Sequence, residues 1–192
     1  MKNFSTGLIC LICVLLSFSI PIKTTYAYNT FGHKLVNGVG YYGQNRQYYF
    51  LNNSLGSEKQ KFIDAMDKWI YGTITTPISF RETTAQSSSV IDVYKVSSPN
   101  NGVAALTYFM YGDKNVDASK TDWYWAKIDL QSGTYDKLTD WQKRLVHAHE
   151  IGHGLGLNHT NINGNLMHSN GNSSTTNIPQ NDQFNGINSI YK

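Results

Sequence analysis

"HAHEIGHGLGLNHT", residues 147–160, is the stretch on which the reading of this chain turns. It holds four of the six histidines in 192 residues, together with one glutamate and three glycines in an otherwise mostly apolar frame. The segment leading into it, "LTDWQKRLVHAHEIGHG" (138–154), reads as a helix. Thr139 or Asp140 can cap it, and Trp141, Leu145, Val146 and Ile151 can face a core. On such a helix His149 and His153 lie one turn apart on one face, because four steps of about 100° return nearly to the start. Two imidazoles so placed can hold one zinc ion at about 2.0–2.1 Å each. Glu150 points beside that axis, within reach of a water at the metal but not of the metal itself. His159 lies too far round a straight helix to join the pair, so the chain must turn sharply. Gly154 and Gly156 allow this, with Gly156 as the pivot because glycine takes positive φ freely. Three histidine ligands leave a fourth position for water, which marks a catalytic zinc site rather than a closed structural one.

A bare H-E-x-x-H arises by accident often enough to be weak. The extended spacing H-E-x-x-H-x-x-G-x-x-H fixes five positions, and a chance match in one chain is roughly below one in ten thousand. The remaining histidines invite less. His147 stands about 200° from His149 on the helix and reads as an ordinary packed or polar residue. His33 and His168 are scattered. His168 reads equally well as a cleft residue or as a turn residue in water.

The rest of the chain bounds the class. It is 40% hydrophobic and 13% aromatic, enough for one well-filled domain, while charged residues make up 15% and the net charge is +3. No concentrated basic patch is visible, so nucleic acid is not an expected partner. Residues 1–27 read as a signal peptide: Lys2, an apolar run from about Leu8 to Ile20, then small residues ending at Ala27. The run is too short and too broken for a membrane span, so no membrane anchor is expected once it is removed. Cys10 and Cys13 would leave with it, and the product is expected to be a secreted, extracellular monomer, free or associated with the cell wall.

Downstream, 28–45 is a short Gly- and Asn-rich segment, expected to be extended or loose. Strands are expected over 46–53, 77–83, 89–96, 102–112 and 122–130. A helix is expected over 57–72, with Ser57 and Gln60 as a capping box. The C-terminal 178–192 opens with Pro179 at a helix start and carries Phe184, Ile187, Ile190 and Tyr191 on one face. The loop 113–122, with Asp113, Asp117 and Asp122, offers oxygens to calcium, although it matches no EF-hand and a solvated loop is the plainer reading.

"HEIGHGLGLNH" (149–159) followed by "NLMHSN" (165–170) resembles the metzincin metalloprotease signature with its Met-turn at Met167. Thr160 after the third histidine, Ser169 two residues past Met167, and "NDQFNGINSIY" (181–191) are similar to the matrixin branch. The resemblance covers 46–192, read as the catalytic domain. It implies an α+β metzincin fold: a twisted, mostly parallel five-stranded sheet with two long helices, and a small irregular C-terminal subdomain ending in a helix. It also implies zinc held by His149, His153 and His159, with Met167 as an apolar floor beneath them. The chain departs from the matrixin pattern in two ways. With no cysteine after residue 27, latency by a cysteine switch is not expected, and without the usual extra ligands a second zinc is not expected either.

The function this reading leads to is a zinc-dependent endopeptidase with Glu150 as general base and a protein or peptide as substrate. The peptide would lie extended against 102–112, with 168–177 shaping side-chain preference. A zinc-holding but inactive binding module is the rival, and the presence of Glu150 speaks against it. A surface protein that uses zinc only to fold is the third possibility, and would lose its fold on chelation without ever cutting a peptide.

Overall fold

The computed structural model describes residues 28–191. The segment read as a signal peptide, 1–27, lies outside the described residues together with Lys192. In chain order the elements are β1 (Asn29–Thr30), β2 (Gln47–Leu51), α1 (Lys59–Ile70), β3 (Phe80–Thr83), β4 (Ile91–Val96), β5 (Ala105–Tyr111), β6 (Lys114–Val116), β7 (Trp125–Gln131), α2 (Ser132–Tyr135), α3 (Asp140–Gly154), β8 (Leu157–Asn158) and α4 (Asn181–Tyr191).

The main sheet has the order β3-β2-β4-β7-β5-β6. β3, β2, β4 and β7 run parallel, and β5 and β6 are antiparallel to their neighbours. Six strands therefore stand where five were expected. The sixth is β6, which begins inside the Asp-rich stretch read as a loop. Gly112, at φ 60°, and Asp113 close a two-residue hairpin that returns Lys114 opposite Tyr111. Glycine at the first central position suits such a turn because the strand twist demands positive φ there.

Register across the sheet sets up the core. Tyr49, Ile91, Ala126 and Phe109 form one row, and Leu51, Val93, Ile128 and Thr107 form the next. Because strand side chains alternate, both rows face the same side, and α1 and α3 cover it. α1 contributes Phe62, Ala65, Met66 and Trp69, and α3 contributes Leu145, Ala148 and Ile151, all buried. The Trp69 indole donates to the Ala148 carbonyl at 3.0 Å and so ties the two helices at the core. Trp141, expected to face inward, sits on the first turn of α3 with 42% of its surface exposed.

The helix ends show which local signals prevailed. Thr139 caps α3 in a complete capping box with Gln142. The expected Ser57–Gln60 box does not form. The chain enters α1 through a 3-10 turn over Asn53–Glu58, and Gln60 donates to Asp64 instead. Glu58, at the N-cap, is drawn into a buried network. His147 and Tyr135 meet at 2.8 Å, the Tyr135 hydroxyl lies 3.0 Å from Glu58, and Lys61 and Lys143 pair with Glu58 at 3.3 and 3.2 Å. The hydroxyl has one proton, which goes to the carboxylate, so the His147 Nε2–H must donate to the tyrosine oxygen. Burial holds His147 neutral, with its pKa pushed down to about 3. Burial pushes the Glu58 carboxyl up, but hydrogen bonds from Lys143, Tyr135 and Lys61 outweigh it, and Glu58 stays below its usual range. α2, the start of α1 and the middle of α3 are fastened together by this chain of bonds.

Tyr135→Phe should therefore destabilise the protein by about 1–3 kcal/mol, because His147 and Glu58 each lose a buried partner while the ring stays in place. Urea unfolding followed by tryptophan fluorescence measures this, and an unchanged midpoint would show that the network contributes nothing.

Candidate metal centre

The last two turns of α3 carry His149 and His153 on one face, their rings edge to face with centroids 4.6 Å apart. The helix ends at Gly154, Leu155 caps it, and Gly156 reverses the chain at φ 109°. A side chain at Gly156 would be strained by that φ and would meet the Ile190 side chain at 3.0 Å. Beyond the reversal, β8 brings His159 back over the helix. Its Nε2 lies 3.1 Å from Nε2 of both His149 and His153. Three nitrogens on a tetrahedral zinc at about 2.05 Å stand roughly 3.3 Å apart, so the cradle already has nearly the right span. Among the described residues, these three histidines are the one convergent set of three or more metal-binding side chains.

Two of the rings are oriented by main-chain carbonyls. His149 Nδ1 donates to Leu166 O at 2.9 Å, and His153 Nδ1 donates to Leu157 O at 2.8 Å. That places the proton on Nδ1 and leaves each Nε2 lone pair free for a cation. Burial, followed by the neighbouring His149, pushes the pKa of His153 well down and that of His159 down, so both favour the neutral form that ligates. The donor set fits zinc: three imidazole nitrogens at nearly the correct mutual spacing, two of the rings held by main-chain carbonyls.

Beneath the histidines the chain turns through Leu166–Met167–His168. The Asn165 side chain accepts from Met167 N at 2.8 Å, and Thr160 N donates to Met167 O at 2.9 Å. Met167 is 2% exposed, and a Cβ built on Gly152 would lie 2.6 Å from its sulfur. The glycine in the fourth position of H-E-x-x-H thus makes room for the methionine floor. His168 is buried at the cleft wall and accepts from Asn170 N through Nδ1 at 2.9 Å. His147 lies outside the cluster, in the buried network described above.

Sequence reasoning missed the role of 28–45. This segment is neither loose nor remote. β1 pairs antiparallel with β8, Phe31 N donates to Gly156 O at 3.1 Å, and the Asn29 side chain donates to His159 O at 2.9 Å. The Phe31 ring packs 5.8 Å from that of His153 and 4.9 Å from that of Phe109. Two residues of strand carry no periodicity, so composition offered no sign of them. Further along, Asp122 accepts from Lys34 N and pairs with His33, and Asp117 accepts from Ser119, so these two Asp carboxylates of 113–122 are committed to local bonds.

Glu150 is 8% exposed at the wall of a cleft of about 620 Å³ that also reaches all three histidines. Burial pushes its carboxyl above the usual range, against the opposing pull of His149 and of a hydrogen bond from Thr107. The cleft runs between the rim of β5 on one side and residues 168–172 on the other. A three-histidine centre with an adjacent carboxylate, at the foot of a mixed sheet, defines the class as a hydrolytic metalloenzyme of metzincin type. The matrixin family model matches residues 43–192, and the chain belongs to that family of peptidases. It is a zinc metalloendopeptidase. No curated protein matches the chain.

Gly156→Ala should cost about 1–2 kcal/mol of stability from the left-handed backbone alone, and it should also weaken zinc binding because His159 hangs beyond the turn. Competition for zinc against a chelator of known affinity reads the second effect. An affinity equal to the parent's would show that His159 does not depend on the turn.

Proposed function

We propose that His149, His153 and His159 hold the zinc, that Glu150 is the general base, and that the enzyme works outside the cell on extended peptides. The observation that carries this reading is the convergence of the three Nε2 atoms within a cleft that Glu150 also lines. Zinc, when bound, polarises the scissile carbonyl and lowers the pKa of an attacking water toward about 7. Glu150 accepts the proton from that water and passes it to the leaving amine. Its raised pKa suits both transfers, since the carboxylate takes a proton readily and holds it long enough to deliver it. Met167 and the two carbonyls that orient His149 and His153 keep the ligands rigid, so little reorganisation accompanies the reaction.

The substrate strand has an open place to add. β6 covers only Phe109–Tyr111 of β5, so the outer edge of Ala105–Tyr108 has no strand neighbour among the described residues. A peptide pairing there would receive main-chain hydrogen bonds, and its alternate side chains would point into the cleft. Val103, Leu138, Leu145 and Val146 line the recess beside α3, which favours an apolar side chain next to the scissile bond. No helix among the described residues is long and apolar enough to cross a membrane. Residues 1–27 act as the export signal in this reading, and 28–192 as the working enzyme.

Glu150→Gln should retain zinc and melt near the parent temperature, while cleavage of a peptide library falls by at least roughly 10²–10⁴-fold. Equal cleavage by metal-matched parent and variant would remove Glu150 from the mechanism. For export, N-terminal sequencing of protein collected from culture medium should begin near Tyr28. Retention of Met1 or Cys13 would refute the signal.

A further inference from the structure

Thr107 is out of character with its surroundings. The sheet row it completes reads Leu51, Val93, Ile128, Thr107, and the first three are buried apolar residues under the helices. Its hydroxyl lies 2.6 Å from Glu150 Oε2 and 3.3 Å from the Glu150 carbonyl. One hydroxyl proton serves one strong bond, and the short contact to the carboxylate has the length of a charge-assisted O–H···O⁻ pair. Glu150 Oε1 has no hydrogen-bond partner among the described residues, and the residue lines the cleft. The carboxylate is thus pinned at one oxygen, with the other left to act.

The backbone of Thr107 belongs to the stretch of β5 whose outer edge has no strand neighbour among the described residues. One residue therefore joins the rim where a peptide strand adds to the carboxylate at the floor of the cleft. The geometry points to Thr107 as a positioning residue for the base: it fixes the rotation of the Glu150 carboxylate so that Oε1 faces the attacking water, and it registers that carboxylate to the strand that carries the substrate. This rests on Glu150 being the base. Helix geometry alone does not fix the outer torsions of a glutamate, and a freely turning carboxylate would meet the water in the right orientation only part of the time. Threonine on a strand needs no function to be there, since β-branched residues favour strands. What strand propensity does not explain is a hydroxyl where valine would fit the apolar row equally well.

The test uses Thr107→Val, which keeps the shape and removes the hydroxyl, and Thr107→Ser, which keeps the hydroxyl. Both are made in the zinc-loaded protein and compared by steady-state cleavage of one internally quenched peptide drawn from the library. Thr107→Val should lower kcat by roughly tenfold or more with KM little changed, as loss of a hydrogen bond to a charged group implies. Thr107→Ser should recover most of kcat. Zinc content should be the same in all three proteins. Crystal structures should show the Glu150 carboxylate in one orientation in the parent and Thr107→Ser, and in several in Thr107→Val. Added to Glu150→Gln, the Thr107→Val change should cause no further loss, because Thr107 acts through the carboxylate. Full kcat in Thr107→Val, or a loss that serine does not recover, or an additive loss in the double variant, would overturn the assignment. If Glu150→Gln itself cleaves at the parent rate, the failure lies with the base. If Glu150→Gln is inactive and Thr107→Val keeps the parent's kcat, the failure is Thr107's alone.

Discussion

Three imidazole nitrogens brought to one point hold this structure to its purpose, and everything nearby serves that convergence. Two of them come without tertiary help, as neighbours on one helical face. The third has to travel back over the end of the helix, and a single glycine at φ 109° lets it do so. The three ring nitrogens lie 3.1 Å apart across the pairs His149–His159 and His153–His159. Carbonyls grip the far side of two rings, and β1, Phe31 and Asn29 clasp the loop from outside.

A centre of this kind needs a rigid support, and α3 is unusually well anchored for a helix that lies along a cleft. Its apolar face packs on the sheet and on α1, the Trp69 indole bonds to its backbone, and His147 joins it to Tyr135 and Glu58. That last arrangement buries a histidine, a tyrosine and a glutamate, each of which would be costly alone. Together they share protons in one direction and leave the charge on Glu58 beside two lysines. A histidine of the three-histidine cluster and a structural histidine thus sit two positions apart on one helix, separated by the half-turn that sends one to the cleft and the other to the core.

The antiparallel end of the sheet gives the site its second half. Had β5 been fully covered by β6, no peptide could add to it. Because the Gly112–Asp113 hairpin returns for only three residues, the edge beside the histidines is left without a strand neighbour among the described residues. The same strand then delivers the Thr107 hydroxyl to Glu150, so the proposed substrate edge and the proposed base are joined by one residue.

Much of this was legible in the amino-acid sequence. Spacing alone placed His149 and His153 together, named Gly156 as the pivot and set Glu150 apart from the ligands, because helix geometry and the freedom of glycine are local properties. The strands and both long helices were visible as periodicity, with errors at their ends: Ser57 did not cap, Trp141 did not turn inward, and a sixth short strand hid in an Asp-rich loop. The sequence by itself determined the chemistry, since residue types at fixed local spacing define it. Tertiary structure alone decided what surrounds that chemistry. The clasp of 29–31 on the loop of the third histidine, the buried His147 network and the Thr107–Glu150 contact join residues between 12 and 130 positions apart. No period or spacing links such partners, and only the packing of the sheet against its helices brings them within reach.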